Sequence, residues 1–237
     1  MISTKQSIPE ILSYNPSLEM VFDRYDAWKA HQHVPLYRID PQIFSDNDFL
    51  VEILRAFDNP QRFCPTRFLR FPIHTVLDYL YRTHRYYTQK RMLEIEQTIG
   101  QLAEAYGNGH PLLLLLQSFF PNYREHLEEH MALEEDTLFP YILDLGEKIE
   151  GISSGDSIFS HYSLNEFLIS HEEDHLDDQL SEVHGLIKKR YPELKKVFMF
   201  KVLSAQLEAF EKDLFIHEQI EDHVLVAQAR KLENKLK

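Results

Sequence analysis

Three residues, His84, His130 and Glu134, recur in type and spacing as His171, His217 and Glu221. In each set 46 positions separate the two histidines, and the glutamate follows the second histidine by four. Imidazole and carboxylate together suit iron, manganese or zinc. A chain that repeats such a set residue for residue is building one site from two similar halves. Glutamates can each bridge two ions, so the pattern points to a dinuclear centre. Four imidazoles and two bridging carboxylates give each ion two nitrogens and two oxygens. A six-coordinate iron would then keep one position for a shared oxo or hydroxo bridge and one for an outside ligand. The expectation is an open, reactive centre rather than a closed structural one.

Blander readings compete with this one. A single His-x-x-x-Glu is most simply a surface pair one helical turn apart, worth a few tenths of a kcal/mol. Two pairs with matched partners argue against that, and so do their flanks: Leu138-Phe139 follows Glu134 at the offset at which Leu225-Val226 follows Glu221, and Leu127 and Leu214 each precede a histidine by three. His171-Glu172-Glu173-Asp174-His175 also satisfies the H-E-x-x-H pattern of zinc peptidases. That chemistry needs a third ligand and a substrate-binding strand, and no sheet is expected, so Glu172, Glu173 and Asp174 read as a solvated face. His126 and His175 lie one turn from ligand histidines and read as polar filling of the next layer, with a proton relay or a fifth imidazole ligand as alternatives. His31, His33, His74, His110, His161, His184 and His223 have no partner pattern and are expected at the surface. Tyr81, Tyr123 and Tyr141 read as core.

The elements that must position these residues follow from hydrophobic periodicity. A helix is expected over 75–106, closed by Gly107 and followed by Pro111 as the start of the next. The second runs over 111–148, with Pro121 interrupting or kinking it. After the turn-rich 151–156, Ser163-Leu164-Asn165-Glu166 matches a capping box that opens a third helix to about residue 190. Pro192 precedes a fourth helix that runs to the C-terminus. Each leg between a ligand and the nearest loop has about 18 to 25 residues, so at about 1.5 Å rise per residue all six ligands reach one level. Short loops between long helices give an all-α, up-down four-helix bundle over 71–237. The proline-rich residues 1–70 are expected to form a small helical N-terminal region, with helical patches at 18–28 and 46–57.

Bulk properties narrow the class. With 237 residues, seven glycines and abundant Leu, Glu and Lys, the chain reads as one mainly helical core with a small addition. A net charge of −13 argues against a nucleic-acid partner. Cys64 is the sole cysteine, which leaves no intrachain disulfide or thiolate cluster and points to a reducing cytoplasm. The N-terminus lacks the apolar core of a secretory signal, and the longest apolar run, 112–116, is too short for a membrane span. That run is apolar around the helix and is expected to be buried or to form a homodimer contact.

The order His…His-x-x-x-Glu…His…His-x-x-x-Glu resembles the hemerythrin-like (HHE cation-binding) family. More closely it is similar to the di-iron iron–sulfur cluster repair proteins, over about residues 70–230. The matching stretches are Leu77-Asp78-Tyr79-Leu80…His84, His130-Met131-Ala132-Leu133-Glu134-Glu135…Leu138-Phe139-Pro140, and His217-Glu218-Gln219-Ile220-Glu221…Val224-Leu225. The resemblance implies two iron ions with an oxo or hydroxo bridge, manganese or zinc being alternatives. It makes His84, His130, His171 and His217 terminal ligands and Glu134 and Glu221 bridges. It also implies a role in the nitrosative and oxidative stress response through iron donation or NO/O₂ chemistry, with damaged iron–sulfur proteins as partners. Ile8-Pro9-Glu10-Ile11-Leu12…Asn15-Pro16…Val21-Phe22-Asp23-Arg24-Tyr25 is similar to the short domain preceding the bundle in those proteins. There a Cys-Cys-Gly-Gly element follows the tyrosine; residues 26–34 here hold neither cysteine nor glycine, and Cys64 is too distant to replace it. That departure keeps open a module that binds or senses O₂ or NO without turnover. A metal-free scaffold is the weaker third reading.

Overall fold

The computed structural model describes residues 2–25, 28–107, 109–152, 163–165, 167, 176–191 and 197–236. His161, His171, Glu172, Glu173, Asp174 and His175, and most of the loop 151–156, lie outside the described residues, as does the Glu166 half of the expected capping box. Among the described residues every regular element is helical, and the one β pairing is an isolated antiparallel bridge between Ser7 and Pro35. No helix among them is long and apolar enough to cross a membrane.

The chain forms two compact units, residues 1–86 with 216–237, and residues 87–215. The first holds the proline-rich segment. Helix α1, Ile8–Tyr14, opens where the Ser7 amide donates to Glu10 Oε2 at 2.7 Å. Helix α2, Asn47–Asp58, is capped by Asp46, whose carboxylate accepts from the amides of Asp48 and Phe49. Its face of Phe49, Leu50, Ile53, Leu54 and Phe57 is buried. Phe49 meets the rings of Phe68, Phe71 and Tyr79 edge-on, which ties α2 to the segment that follows it.

Helix α3 is continuous in three stretches, Ile73–Tyr86, a π turn at Tyr87–Arg91, and Met92–Tyr106. Gly107 ends it at φ +82°, a left-handed conformation that costs glycine nothing, with its amide bonded to the Ala103 carbonyl. Pro111 then begins α4, whose first orphan amide, that of Leu112, donates to His110 Nδ1. Helix α4 likewise runs as Pro111–Leu133, a π turn at Glu134–Leu138, and Phe139–Ile149. Pro121 does not interrupt it. The proline and Gln117, whose carbonyl loses its partner, both lie on the exposed side. Buried Leu116, Phe120, Tyr123 and Leu127 hold the opposite face in place. The 112–116 run divides in the same way: Leu112, Leu113 and Leu116 are buried and Leu114 and Leu115 are exposed.

Ser163 precedes helical Leu164 and Asn165, where the third helix was expected to begin. Helix α5, Leu176–Arg190, ends with the Tyr191 amide on the Ile187 carbonyl. Helix α6 comprises Phe198–Ile220, a π turn at Glu221–Leu225, and Val226–Leu236.

Arg24 is the most constrained residue of the first unit. It is 1 % exposed, its Nε donates to Thr83 Oγ1 at 3.0 Å and its Nη1 to the Met20 carbonyl at 2.6 Å. The guanidinium also lies over the rings of Phe57, Tyr79 and Tyr86. A buried cation without its acceptors is costly, but so are acceptors without the cation. Arg24→Met is expected to destabilise the chain by about 2–4 kcal/mol in urea unfolding. Arg24→Lys should recover less than half of that, because an ammonium cannot span both acceptors.

Candidate metal centre

The stripe Leu77, Leu80, His84 and Tyr87 lies along one face of α3, and all four side chains are buried. On α6 the corresponding stripe is Phe210, Asp213, His217, Ile220 and Glu221, also buried. The helical period that buries the leucines therefore carries the histidines inward. His84 Nε2 and His217 Nε2 stand 2.9 Å apart, with ring centroids 5.0 Å apart. Two nitrogens each about 2.1 Å from one ion and at right angles about it would be about 3.0 Å apart. The observed separation is thus that of adjacent ligands on a shared ion, and also that of one neutral imidazole donating to the other.

Glu134 begins the π turn of α4 and is fully buried. His130, one turn earlier and partly exposed, brings Nε2 to 2.9 Å from Glu134 Oε1. Glu221 begins the π turn of α6 in the same way, with Oε2 3.9 Å from His217 Nδ1, beyond hydrogen-bonding distance. His84 and His217 are both buried, and each offers one ring nitrogen that could bind a metal ion; Glu134 offers a buried carboxylate oxygen on its own helix. The donor set fits one. Burying carboxylates at Glu134, Asp213 and Glu221 is costly unless positive charge compensates them, and a divalent cation between nitrogen and oxygen donors supplies it.

The other expected residues fall out unevenly. His126 is exposed, so it is neither core filling nor an inward ligand. His184 corrects the expectation of a surface histidine. It is 2 % exposed, with Nδ1 2.9 Å from Glu211 Oε1 and Nε2 3.1 Å from Ser204 Oγ. The sequence carried that signal, since Leu180, His184 and Ile187 share one face of α5 and all are buried. Tyr123 and Tyr141 are core, as their types suggested, and Tyr81 is half-buried.

Two features escaped the sequence reading. Tyr87 and Asp213 are both fully buried, and the phenol donates to Asp213 Oδ1 at 2.7 Å. They lie one turn after His84 and one turn before His217, so helical spacing from the ligands would have found them. The π turns are the second feature, and no residue type announces them.

No known protein-family profile matches the chain. It is similar to a Staphylococcus haemolyticus protein named iron-sulfur cluster repair protein ScdA. The two are 20% identical over 234 residues, 95% of this chain and 98% of that protein. Two Staphylococcus epidermidis proteins of the same name are 22% identical over 154 residues, 65% of this chain and of each of them. The likeness to repair proteins read from the ligand motifs thus extends over nearly the whole chain. It takes in the N-terminal region that lacks the paired cysteines.

His84→Ala and His217→Ala should each lower the metal recovered with anaerobically purified protein, and abolish any rise in Tm that added ferrous ion gives the parent. Tyr87→Phe removes one donor from a buried carboxylate and is expected to cost about 1–2 kcal/mol of stability with metal content unchanged. Loss of metal in that variant would instead place Tyr87 among the residues that hold it.

Proposed function

We propose that the chain is a non-heme di-iron protein of the iron–sulfur cluster repair type, acting against nitrosative and oxidative damage in a reducing cytoplasm. The observation that carries this is the buried imidazole pair of His84 and His217, 2.9 Å apart between Nε2 atoms. Similarity to proteins named for cluster repair over 95% of the chain supports the choice of iron and of role.

In this reading the second half of the site is His130, His171 and Glu221, brought to the same level by an up-down four-helix bundle over 71–237. His84, His130, His171 and His217, with Glu134 and Glu221, would hold the ions. Iron bound there supplies reversible redox change and exchangeable positions toward NO or O₂. The chain's own residues do the rest. The imidazoles of His84 and His217 are themselves buried from bulk water. The carboxylates would balance the charge of the ions. Two histidines per ion hold iron less exhaustively than a closed structural site, which suits its transfer to damaged iron–sulfur proteins.

The absence of cysteine from residues 26–34 favours a second reading, a module that binds O₂ or NO and signals without turnover. The two separate on one preparation. Anaerobically purified protein should contain two irons per chain, restore activity to a cluster-damaged iron–sulfur enzyme, and lose that ability in Glu134→Ala. Stoichiometric, reversible NO or O₂ binding with no restoration would establish the sensing reading. Protein that takes up no iron at all would overturn both.

A further inference from the structure

Four of the chain's twelve arginines, Arg55, Arg62, Arg67 and Arg70, fall within residues 55–70, where Asp58 is the sole acid. In a chain of net charge −13 this is a local reversal of sign. Three of them converge on one carboxylate. Glu52 on α2 is 8 % exposed, and Arg55 Nη1 donates to its Oε1 at 2.9 Å. Arg70 Nη2 stands 3.6 Å from the same oxygen, and Arg67 Nη1 stands 3.7 Å from Oε2.

The three guanidiniums are not equivalent. Arg55 has its fork fully engaged, with Nε and Nη2 on the Ile2 carbonyl and Nη1 on Glu52. That pair already meets the charge of Glu52. Arg67 and Arg70 are beyond hydrogen-bonding distance of it, and among the described residues their side chains donate no hydrogen bond. They are 58 % and 59 % exposed. Each keeps five N–H donors in a planar fork. Their positions are nonetheless constrained: Arg70 lies over the Phe71 ring at 4.7 Å, and Arg67 sits in the helical turn Pro65–Phe68. Both are drawn toward one buried anion that they over-compensate. Neutralising Glu52 does not require them, and holding them side by side costs repulsion that an incoming anion relieves.

We propose that Arg67 and Arg70, backed by Arg55 and Glu52, form an oxyanion-binding site outside the metal centre. It would take a phosphate or carboxylate group through paired guanidinium forks, which match planar or tetrahedral oxyanions bidentately. The oxyanion comes either as free phosphate or on an acidic peptide segment, and the experiment separates these sources. Cys64 reports on the same surface. Its thiol is held below the ordinary range by the Thr66 hydroxyl, with Arg67 contributing. It is half-buried, is the chain's sole thiol, and lies near enough to Arg67 for that charge to act on it.

The test uses the full chain at about 0.15 M constant ionic strength, which screens the repulsion between free anions and the net negative charge. Inorganic phosphate and an octaglutamate peptide are titrated separately against chloride, by calorimetry and by the shift in Tm. Saturable binding of one probe, weakened about tenfold or more in Arg67→Gln/Arg70→Gln, is expected, and the probe that binds identifies the source. The same double variant should remove the preference of Cys64 for a dianionic aromatic disulfide over a neutral one, while iron content and helical circular dichroism stay unchanged. Absence of saturation by both probes, or equal affinity in parent and variant, would overturn the site.

Discussion

Two imidazoles facing each other in a buried layer, on helices that also bury carboxylates, constrain much of the rest of this chain. Hydrophobic burial tolerates sliding and repacking, but a charged or strongly polar group out of water does not. Asp213 and Glu134 are wholly buried, and His84, His217 and Glu221 nearly so, on helix faces otherwise made of Leu77, Leu80, Phe210, Leu214 and Ile220. Those apolar neighbours fix the rotation of each helix about its axis. The polar residues then meet because the same rotation that buries a leucine one turn away also aims the histidine.

The backbone echoes the repetition in the sequence. The π turns of α4 and α6 begin at Glu134 and Glu221, residues that occupy matching positions in the two halves. In both, the amide after the turn bonds back to the glutamate's own carbonyl, that of Phe139 to Glu134 and that of Val226 to Glu221. A π turn inserts one residue into a helix and is found frequently at functional sites. Its effect is to shift the helical phase beyond the glutamate. Without that shift a helix that aims His130 and Glu134 inward would turn Leu138, Phe139 and Ile142 partly away from the core, where all three are in fact buried. The same holds for Leu225, Val226 and Ala229 beyond Glu221. Two glutamates with one backbone distortion each, in register, argue for paired duties more strongly than the spacing of residue types does.

Much of this was legible in the sequence because helical period, glycine and proline act locally. Gly107 and Pro111 end and begin helices where their backbone preferences require, and the stripe through His84 needs only the period of 3.6. What escaped depended on partners distant in the chain. His184 looked like a surface residue until Glu211 and Ser204 of another helix satisfied both of its nitrogens. Tyr87 and Asp213 acquire meaning from each other across 126 positions. Pro121 was expected to break a helix that tertiary packing of Phe120, Tyr123 and Leu127 keeps whole. The π turns leave no compositional trace, since their cause is the phase mismatch between a ligand face and a core face.

The N-terminal region bears on His84 through the helix that carries it. Arg24 grips Thr83, the residue before the histidine, while Thr83 returns its own proton to the Tyr79 carbonyl. One and a half turns earlier, Asp78 is held by the Ser45 hydroxyl and by Arg82 at 2.8 Å. Ser45 takes φ +55° to reach it, a conformation that a serine adopts only when something holds it there. Arg82 in turn lies over the Tyr25 ring, whose hydroxyl is kept protonated by burial. Arg24, Tyr25 and Ser45 therefore clamp α3 on both sides of the turn that leads into His84. In a chain whose N-terminal region has no paired cysteines, this gives that region a physical task that needs no thiol. It fixes the axial position and rotation of the helix that carries His84, whose imidazole meets that of His217 from α6 at 2.9 Å.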